Sequence, residues 1–210
     1  MLPSCFLFLL PSGHSRPRSP RGNMLLFAAT LGISLLLAGR CAAAGNSLEY
    51  QVKAGFLFNF AKFVEWPDSA KTPDKILRLG IIASDDIYDL MSSTLDGKTA
   101  NHRPIKVEHI TAGDLEGTGA LPDLIFVQQD IVRSPQDFGF TLQQLFTAAA
   151  KQPVLLVGES ADFATSGGMI GFVQRGENLR FQVNLASAQR AGLKLSARLS
   201  GLAEIVTDTR

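Results

Sequence analysis

No cysteine occurs after residue 41. The two that the chain contains, Cys5 and Cys41, both lie in its first 44 residues. The remainder therefore has no disulfide, no thiol nucleophile and no thiolate metal ligand. Histidine is almost as scarce, with only His102 and His109 beyond residue 44. They are not spaced as two ligands on one helix, and a zinc site needs at least three protein ligands. Gly158-Glu159-Ser160-Ala161-Asp162 begins like a nucleophile elbow but lacks the glycine two places after the serine. There is no Gly-x-Gly-x-x-Gly and no P-loop lysine, so Gly167-Gly168 reads as a tight turn rather than a phosphate cradle. Asp85, Asp86 and Asp89 read as acids favoured by a helix N-terminus. The residues thus supply no candidate catalytic group, metal site or cofactor site.

An excess of positive charge is also missing where it would matter. Of the 20 lysines and arginines, four (Arg16, Arg18, Arg21 and Arg40) lie in residues 1–44, which contain no acid. That leaves 16 bases against 19 acids, a net charge of −3 for residues 45–210. Nothing in that balance favours nucleic acid. Charged residues make up 19% and hydrophobic residues 46% of the chain, which excludes disorder and provides for a core.

No apolar run is long enough to span a bilayer. Leu25 to Ala38, 14 residues, covers about 21 Å as a helix, against a hydrocarbon core of about 30 Å. With Arg16, Arg18 and Arg21 before it and Cys41-Ala42-Ala43-Ala44 after it, the segment reads as an export signal cleaved after Ala44. Met24 is an alternative start. Arg40 stands where a lipobox requires cysteine, and Cys41 comes one place late. Residues 45–210 are expected as one exported domain.

Asn46-Ser47-Leu48-Glu49 has the form of a capping box and predicts a helix from Asn46 to about Glu65, stopped by Trp66-Pro67. Phe56, Phe60 and Phe63 repeat at i, i+4, i+7 beside a second stripe of Tyr50, Ala54, Leu57, Ala61 and Val64. A helix this apolar must be covered on more than one side. Ile76–Ala83, Asp123–Gln128 and Pro153–Val157 read as strands buried on both faces, and Ile105–Ile110 as an alternating strand. Helices are expected from a cap at Asp85 to about Leu95, from Pro135 to Ala150, and from Ala186 to Val206 with a break at Gly192. Met169–Gln174 and Leu179–Val183, joined by Arg175-Gly176-Glu177-Asn178, form a hairpin signal. The fold class is α/β: a mostly parallel central sheet of five to six strands, helices on both faces, and an antiparallel hairpin near the C-terminus.

Three segments together resemble a known family. They are Tyr50 to Pro67 (YQVKAGFLFNFAKFVEWP), Gly167 to Phe172 (GGMIGF), and Arg180 to Leu185 (RFQVNL) with Ala191 to Ser196 (AGLKLS). The chain is similar to the YfiR family of periplasmic proteins over roughly residues 48–206. The resemblance implies an α/β sandwich that often forms a homodimer. It also implies a non-enzymatic periplasmic repressor that binds the periplasmic sensor domain of an inner-membrane diguanylate cyclase. Repression lowers cyclic-di-GMP and restrains biofilm formation, and an outer-membrane lipoprotein can sequester the repressor. Other members carry cysteine pairs; residues 45–210 have none, so control through disulfides is not implied here.

Under that reading Phe56, Phe58, Phe60, Phe63 and Trp66 are candidate partner anchors on the first helix, with Asn59 and Lys62 as polar contacts. Glu159, Met169 and Ile170 belong to a second candidate surface around a strand-end loop. Arg180 and Asn184 share one face of a late strand by period 2 and complete the candidates. A periplasmic small-ligand-binding sensor is the alternative.

Overall fold

A computed structural model describes residues 47–67, 76–116, 119–133, 139, 141–150 and 152–209. The expected export segment and Asn46 lie outside the described residues. The first helix, α1 (residues 47–63), ends two residues short of the expected stop. Val64–Glu65 is extended instead (β1), pairing antiparallel with Lys194–Leu195 (β9). The β-branched Val64 and the coming Trp66-Pro67 make the switch from helix to strand inexpensive.

The remaining elements follow in chain order. They are β2 (Leu77–Ile82), α2 (Asp85–Leu95), β3 (Thr99–Ala100), β4 (Arg103–His109), α3 (Ala112–Glu116), β5 (Leu124–Val127) and α4 (Gln129–Arg133). Then come α5 (Leu142–Ala149), β6 (Leu155–Gly158), β7 (Ile170–Arg175), β8 (Asn178–Asn184), α6 (Leu185–Arg190), β9, α7 (Ala197–Ser200) and β10 (Glu204–Val206). The main sheet runs β10-β8-β7-β6-β5-β2-β4-β3. Pairs β4/β2, β2/β5, β5/β6, β6/β7 and β8/β10 are parallel, while β7/β8 is the antiparallel hairpin expected from its turn. The sheet has eight strands because two short ones, β3 and β10, extend its edges.

Period-2 alternation divides the strand residues between two cores. Leu77, Leu79 and Ile81, Leu124 and Phe126, and Leu155 and Val157 face α1 and α2, together with Phe172 and Phe181 of the hairpin. Ile82, Ile125, Val127 and Leu156 face the other way, toward Leu115 of α3, Ile131 of α4 and Leu145 of α5. Both faces are covered, as near-continuous apolar strands require.

Three expectations are corrected. The helix expected from Pro135 to Ala150 starts at Leu142, where Thr141 forms a capping box with Gln144; residues 134–138 lie outside the described ones. The segment from Ala186 to Val206 is not one broken helix. Asn184 caps α6, Gly192 at φ +75° ends that turn, Lys194–Leu195 leaves to pair with β1, and Ser196 caps α7. Glu204–Val206 then runs parallel to β8, since Ile205 and Val206 suit an edge strand better than a helix end. Finally, Ser84, not Asp85, is the N-cap residue of α2, and Asp85 and Asp86 occupy its first turn.

The link from β6 to β7 is a tight turn over Phe163. A Cβ on Gly158 would lie 2.3 Å from the Phe163 ring, and one on Gly168 would lie 2.3 Å from that ring and 2.7 Å from the Phe163 carbonyl oxygen. The ring is therefore packed between two glycine backbones, and Phe146 meets it edge-on at 5.7 Å. We expect Gly168→Ala to cost about 1–3 kcal/mol through overpacking and Phe163→Ala about 3–5 kcal/mol through the cavity it leaves. Urea denaturation of the two variants checks both figures.

Candidate functional site

Open α/β sheets bind ligands at the carboxyl ends of their strands, where successive crossovers leave toward opposite faces. Here β2 crosses by α2 on one face, while β4 and β5 cross by α3, α4 and α5 on the other. The crevice therefore lies beside the carboxyl end of β2, where a cleft of about 320 Å³ is lined by Ser84, Asp85, His109, Thr111 and Ile131. Gln128, buried after β5, accepts from the Ser84 amide at 2.9 Å and the Ser84 hydroxyl at 3.3 Å. Its Nε2 donates to Asp130 at 3.4 Å.

The neighbouring strand end is closed from above by α1. Glu159 follows β6, and its side chain is 5% exposed. It accepts from Lys53 Nζ at 2.8 Å, from the Tyr50 hydroxyl at 3.2 Å and from the Gln129 amide at 3.0 Å. Lys53 also bridges to the half-exposed Glu49 at 2.5 Å, and its ammonium lies 4.5 Å from the Tyr50 ring centre. Burial pushes the Glu159 carboxyl above its ordinary range, and the Lys53 charge and hydrogen bonds only partly offset this. Burial, then the Glu159 charge, pushes the Tyr50 phenol well up. Three donors converge on the carboxylate, two of them from α1, so its geometry is that of a tie between α1 and the sheet. Beside it opens a cleft of about 310 Å³ between Glu159, Lys53 and the end of the hairpin.

A second tie lies at the opposite end of the sheet. Asp123, buried just before β5, accepts from Arg103 Nη2 at 3.0 Å and from the Arg78 amide at 2.8 Å. Trp66 Nε1 donates to the Asp123 carbonyl at 3.1 Å. Burial raises the Asp123 carboxyl, against the lowering effect of Arg78 and Arg103.

The candidate partner residues therefore divide by exposure. Phe58, Asn59 and Lys62 lie together on the outer side of α1, with Asn59 and Lys62 exposed. The ammonium groups of Lys62 and Lys98 lie 5.5 Å and 5.8 Å from the centre of the half-buried Phe58 ring. Arg180 is exposed on β8, paired with Val173 of the hairpin. Trp66, Met169, Ile170 and Asn184 are buried, and the Glu159 side chain is enclosed. Asn184 caps α6 through Ser187 N, and its Nδ2 donates to Ala164 O and Asp208. The structure does not bring the Glu159–Ile170 segment and the outer face of α1 into one surface.

Other motifs find local roles. His109 stacks on Tyr88 at 4.4 Å with its Nε2 2.9 Å from Ala83 O, and exposed His102 sits in a turn at φ +61°. Gly167 takes φ +126° in the turn that launches β7. Ser160 accepts the Phe163 amide with its carbonyl, while its hydroxyl is buried without a hydrogen-bond partner. Among the described residues no cluster of three or more His, Cys, Asp or Glu side chains could hold a metal. No described helix is long and apolar enough to cross a membrane. Sequence reasoning missed Lys53, Tyr50, Gln128 and Asp123. The lysine was the available signal, since it lies on the inner stripe of α1, where a buried charge demands a carboxylate partner.

The three sequence segments singled out above meet in space. Phe56 and Phe60 of α1 pack against Phe172 of β7 and Phe181 of β8, at ring distances of 5.2–5.9 Å. A family described as DUF4154: YfiR/HmsC-like matches residues 50–204. The chain belongs to the YfiR/HmsC-like family. Membership suggests a periplasmic regulator of cyclic-di-GMP signalling, in a family known as regulatory rather than enzymatic. No curated protein matches the chain. Among solved structures, a conserved domain protein from Vibrio cholerae is similar at 11% identity and a TM-score of 0.46, covering 67% of this chain and 57% of that one. The chain thus spans little more than half the length of that protein.

The enclosed carboxylate gives the YfiR/HmsC-like domain a definite pH signature. Glu159→Ala leaves Lys53 buried with only Glu49, and we expect a loss of about 3 kcal/mol; a Lys53→Met/Glu159→Leu double variant recovers much of it. The folded-state pKa of Glu159 is raised above its ordinary 4.5. Its contribution is therefore fully present below about pH 4.5 and is lost as pH rises through the folded value. Denaturant titrations upward from pH 4 should show a smaller fall in stability for Glu159→Gln than for the parent protein.

Proposed function

We propose that this chain is a periplasmic, non-enzymatic repressor that binds the sensor domain of an inner-membrane diguanylate cyclase and so lowers cyclic-di-GMP. Family membership supports the class of function. The observation that supports docking, and says where, is the outer side of α1: exposed Asn59 and Lys62 flank a phenylalanine that is neither buried nor free. Half-buried aromatics rimmed by polar groups are the usual anchors of protein interfaces.

Repression of this kind is a binding equilibrium. The repressor favours the inactive cyclase by binding it more tightly than the active form. Moving the enzyme from nearly all active to nearly all inactive needs a difference of about 5 kcal/mol. A few anchors of about 2 kcal/mol each supply that. An outer-membrane lipoprotein that covered the same face would release the cyclase by competition.

The test is genetic and structural together. Deletion of the gene should raise cellular cyclic-di-GMP, and the parent gene should restore it. Asn59→Glu with Lys62→Glu should fail to restore it while melting within about 0.5 kcal/mol of the parent stability, as exposed substitutions do. No rise on deletion would refute the repressor reading. Full complementation by the double variant would remove α1 as the docking face.

A further inference from the structure

Three side-chain donors on α6 and its cap converge on one carboxylate, and that carboxylate comes from the last residues of the chain. Asn184 Nδ2 donates to Asp208 Oδ1 at 2.7 Å, the Ser187 hydroxyl to the same oxygen at 3.5 Å, and Arg190 Nη2 to Asp208 Oδ2 at 2.7 Å. The first two donors are built into the fold, since Asn184 is fully buried and Ser187 nearly so. Asn184 Oδ1 accepts the Ser187 amide at 3.0 Å, and Nδ2 also donates to Ala164 O at 2.8 Å, so the amide is fixed in orientation. Arg190 Nη2 donates to Ser187 Oγ at 2.8 Å, which leaves the hydroxyl hydrogen for the carboxylate. A buried donor fixed in this way requires an acceptor. The donors are side chains at i, i+3 and i+6, not the amides of a helix end.

The acceptor, unlike the donors, hangs on a short tether. β10 pairs with β8 over three residues, at the edge of the sheet. Beyond it Thr209 bonds to Thr165 O through its amide at 3.2 Å and its hydroxyl at 3.4 Å. The Arg190 side chain is 59% and that of Asp208 26% exposed, and ion pairs so exposed hold little. Short edge segments of this kind open locally at low cost. Ser187, Arg190 and Asp208 also border a cleft of about 410 Å³, whose apolar lining is Phe146, Ala149, Leu156, Met169 and Ala191. Apolar walls with a few convergent polar groups, at this volume, are the makeup of a small-molecule site.

We propose that this cleft binds a small monocarboxylate with an apolar body, and that Asp208 is the internal stand-in for the ligand's carboxylate. The incoming carboxylate takes the bonds from Asn184, Ser187 and Arg190, and its apolar body lies along Phe146 and Met169. A charged acceptor suits an arginine backed by an amide. A neutral analogue of the same shape would leave the fixed donors short of an acceptor, which is the stronger basis for discrimination. Binding displaces residues 207–209, because ligand and tail compete for the same three donors. The tail thus lowers the apparent affinity by the fraction of time it is seated. None of these residues belongs to the docking face proposed on α1, so the site stands or falls independently of the repressor reading.

Calorimetric titration of the purified protein with hexanoate and with phenylpropanoate, each beside its alcohol, hexanol or phenylpropanol, tests the site. At least one of the two acids should bind saturably at a single site, and its alcohol much more weakly. Asp208→Asn keeps an acceptor oxygen for Asn184 and gives up the charge opposite Arg190, so the variant should fold. It should bind the acid about ten-fold more tightly than the parent, because its internal competitor is weaker. Arg190→Met, a change at an exposed side chain, should bring acid and alcohol to similar affinity. In the parent, the bound acid should speed trimming of the C-terminus by a carboxypeptidase. Failure of both acids to bind Asp208→Asn at millimolar concentration overturns the proposal. So does equal affinity for acid and alcohol in the parent, an affinity that Asp208→Asn leaves unchanged, or a tail trimmed no faster when the acid is bound.

Discussion

The rings of Phe56 and Phe60, seated on those of Phe172 and Phe181, join the two ends of the chain. Each tilted or edge-on pair adds about 0.5–1.5 kcal/mol beyond the area it buries. More important is what the cluster fixes. It sets α1 across the sheet at the level of the hairpin, and the helix can then reach both ends of the sheet. Lys53 arrives at Glu159 beyond β6, and Trp66 arrives at Asp123 before β5. Without the aromatic seat neither polar tie has a partner at the right distance. Each would then be an isolated buried charge or donor, which costs far more than the tie contributes.

The tie at Glu159 and the Gln128–Ser84 pair narrow the strand-end crevice on the side of α1. A parallel sheet with crossovers to both faces leaves a crevice at its carboxyl end. In this chain Gln128 and Ser84 bond across it, while Tyr50 and Lys53 descend onto the next strand end. Desolvation dominates at Glu159 and at Asp123 alike, since both carboxyls lie above their ordinary range despite a cation alongside. Neither pair is therefore a strong source of net stability. What they supply is position: a carboxylate with three donors around it tolerates only one placement of α1.

Much of this architecture is legible in the residues. The doubly buried strands, the hairpin turn at Arg175-Gly176-Glu177-Asn178 and the overloaded first helix all follow from period and turn chemistry. The C-terminal segment does not. Its helical spacing from Ala186 to Val206 is real, but Gly192 releases the chain, and pairing with Val64 and with β8 outweighs a weak local preference. Pairings so distant along the chain leave no local trace. Site residues suffer from the same gap. Trp66, Met169, Ile170 and Asn184 have the chemistry of surface anchors or contacts, yet each is enclosed by elements far away in sequence. Lys53 was the converse case, a charge on an apolar stripe whose partner could not be named from spacing alone.

The outer face of α1 is the part of the molecule that the monomer does not account for. Its cations have ordinary reasons to be there. Lys62 stands in the last turn of a helix, where positive charge is favoured, and Lys62 and Lys98 both lie near the Phe58 ring. Arg198 covers Phe63 in the same way at 5.8 Å. Packing explains those residues without any partner. It does not explain two exposed aliphatic side chains, Leu48 and Val52, in line with Gly55, whose missing side chain would have met only solvent. Substituting alanine there would improve the helix at no steric cost to the fold.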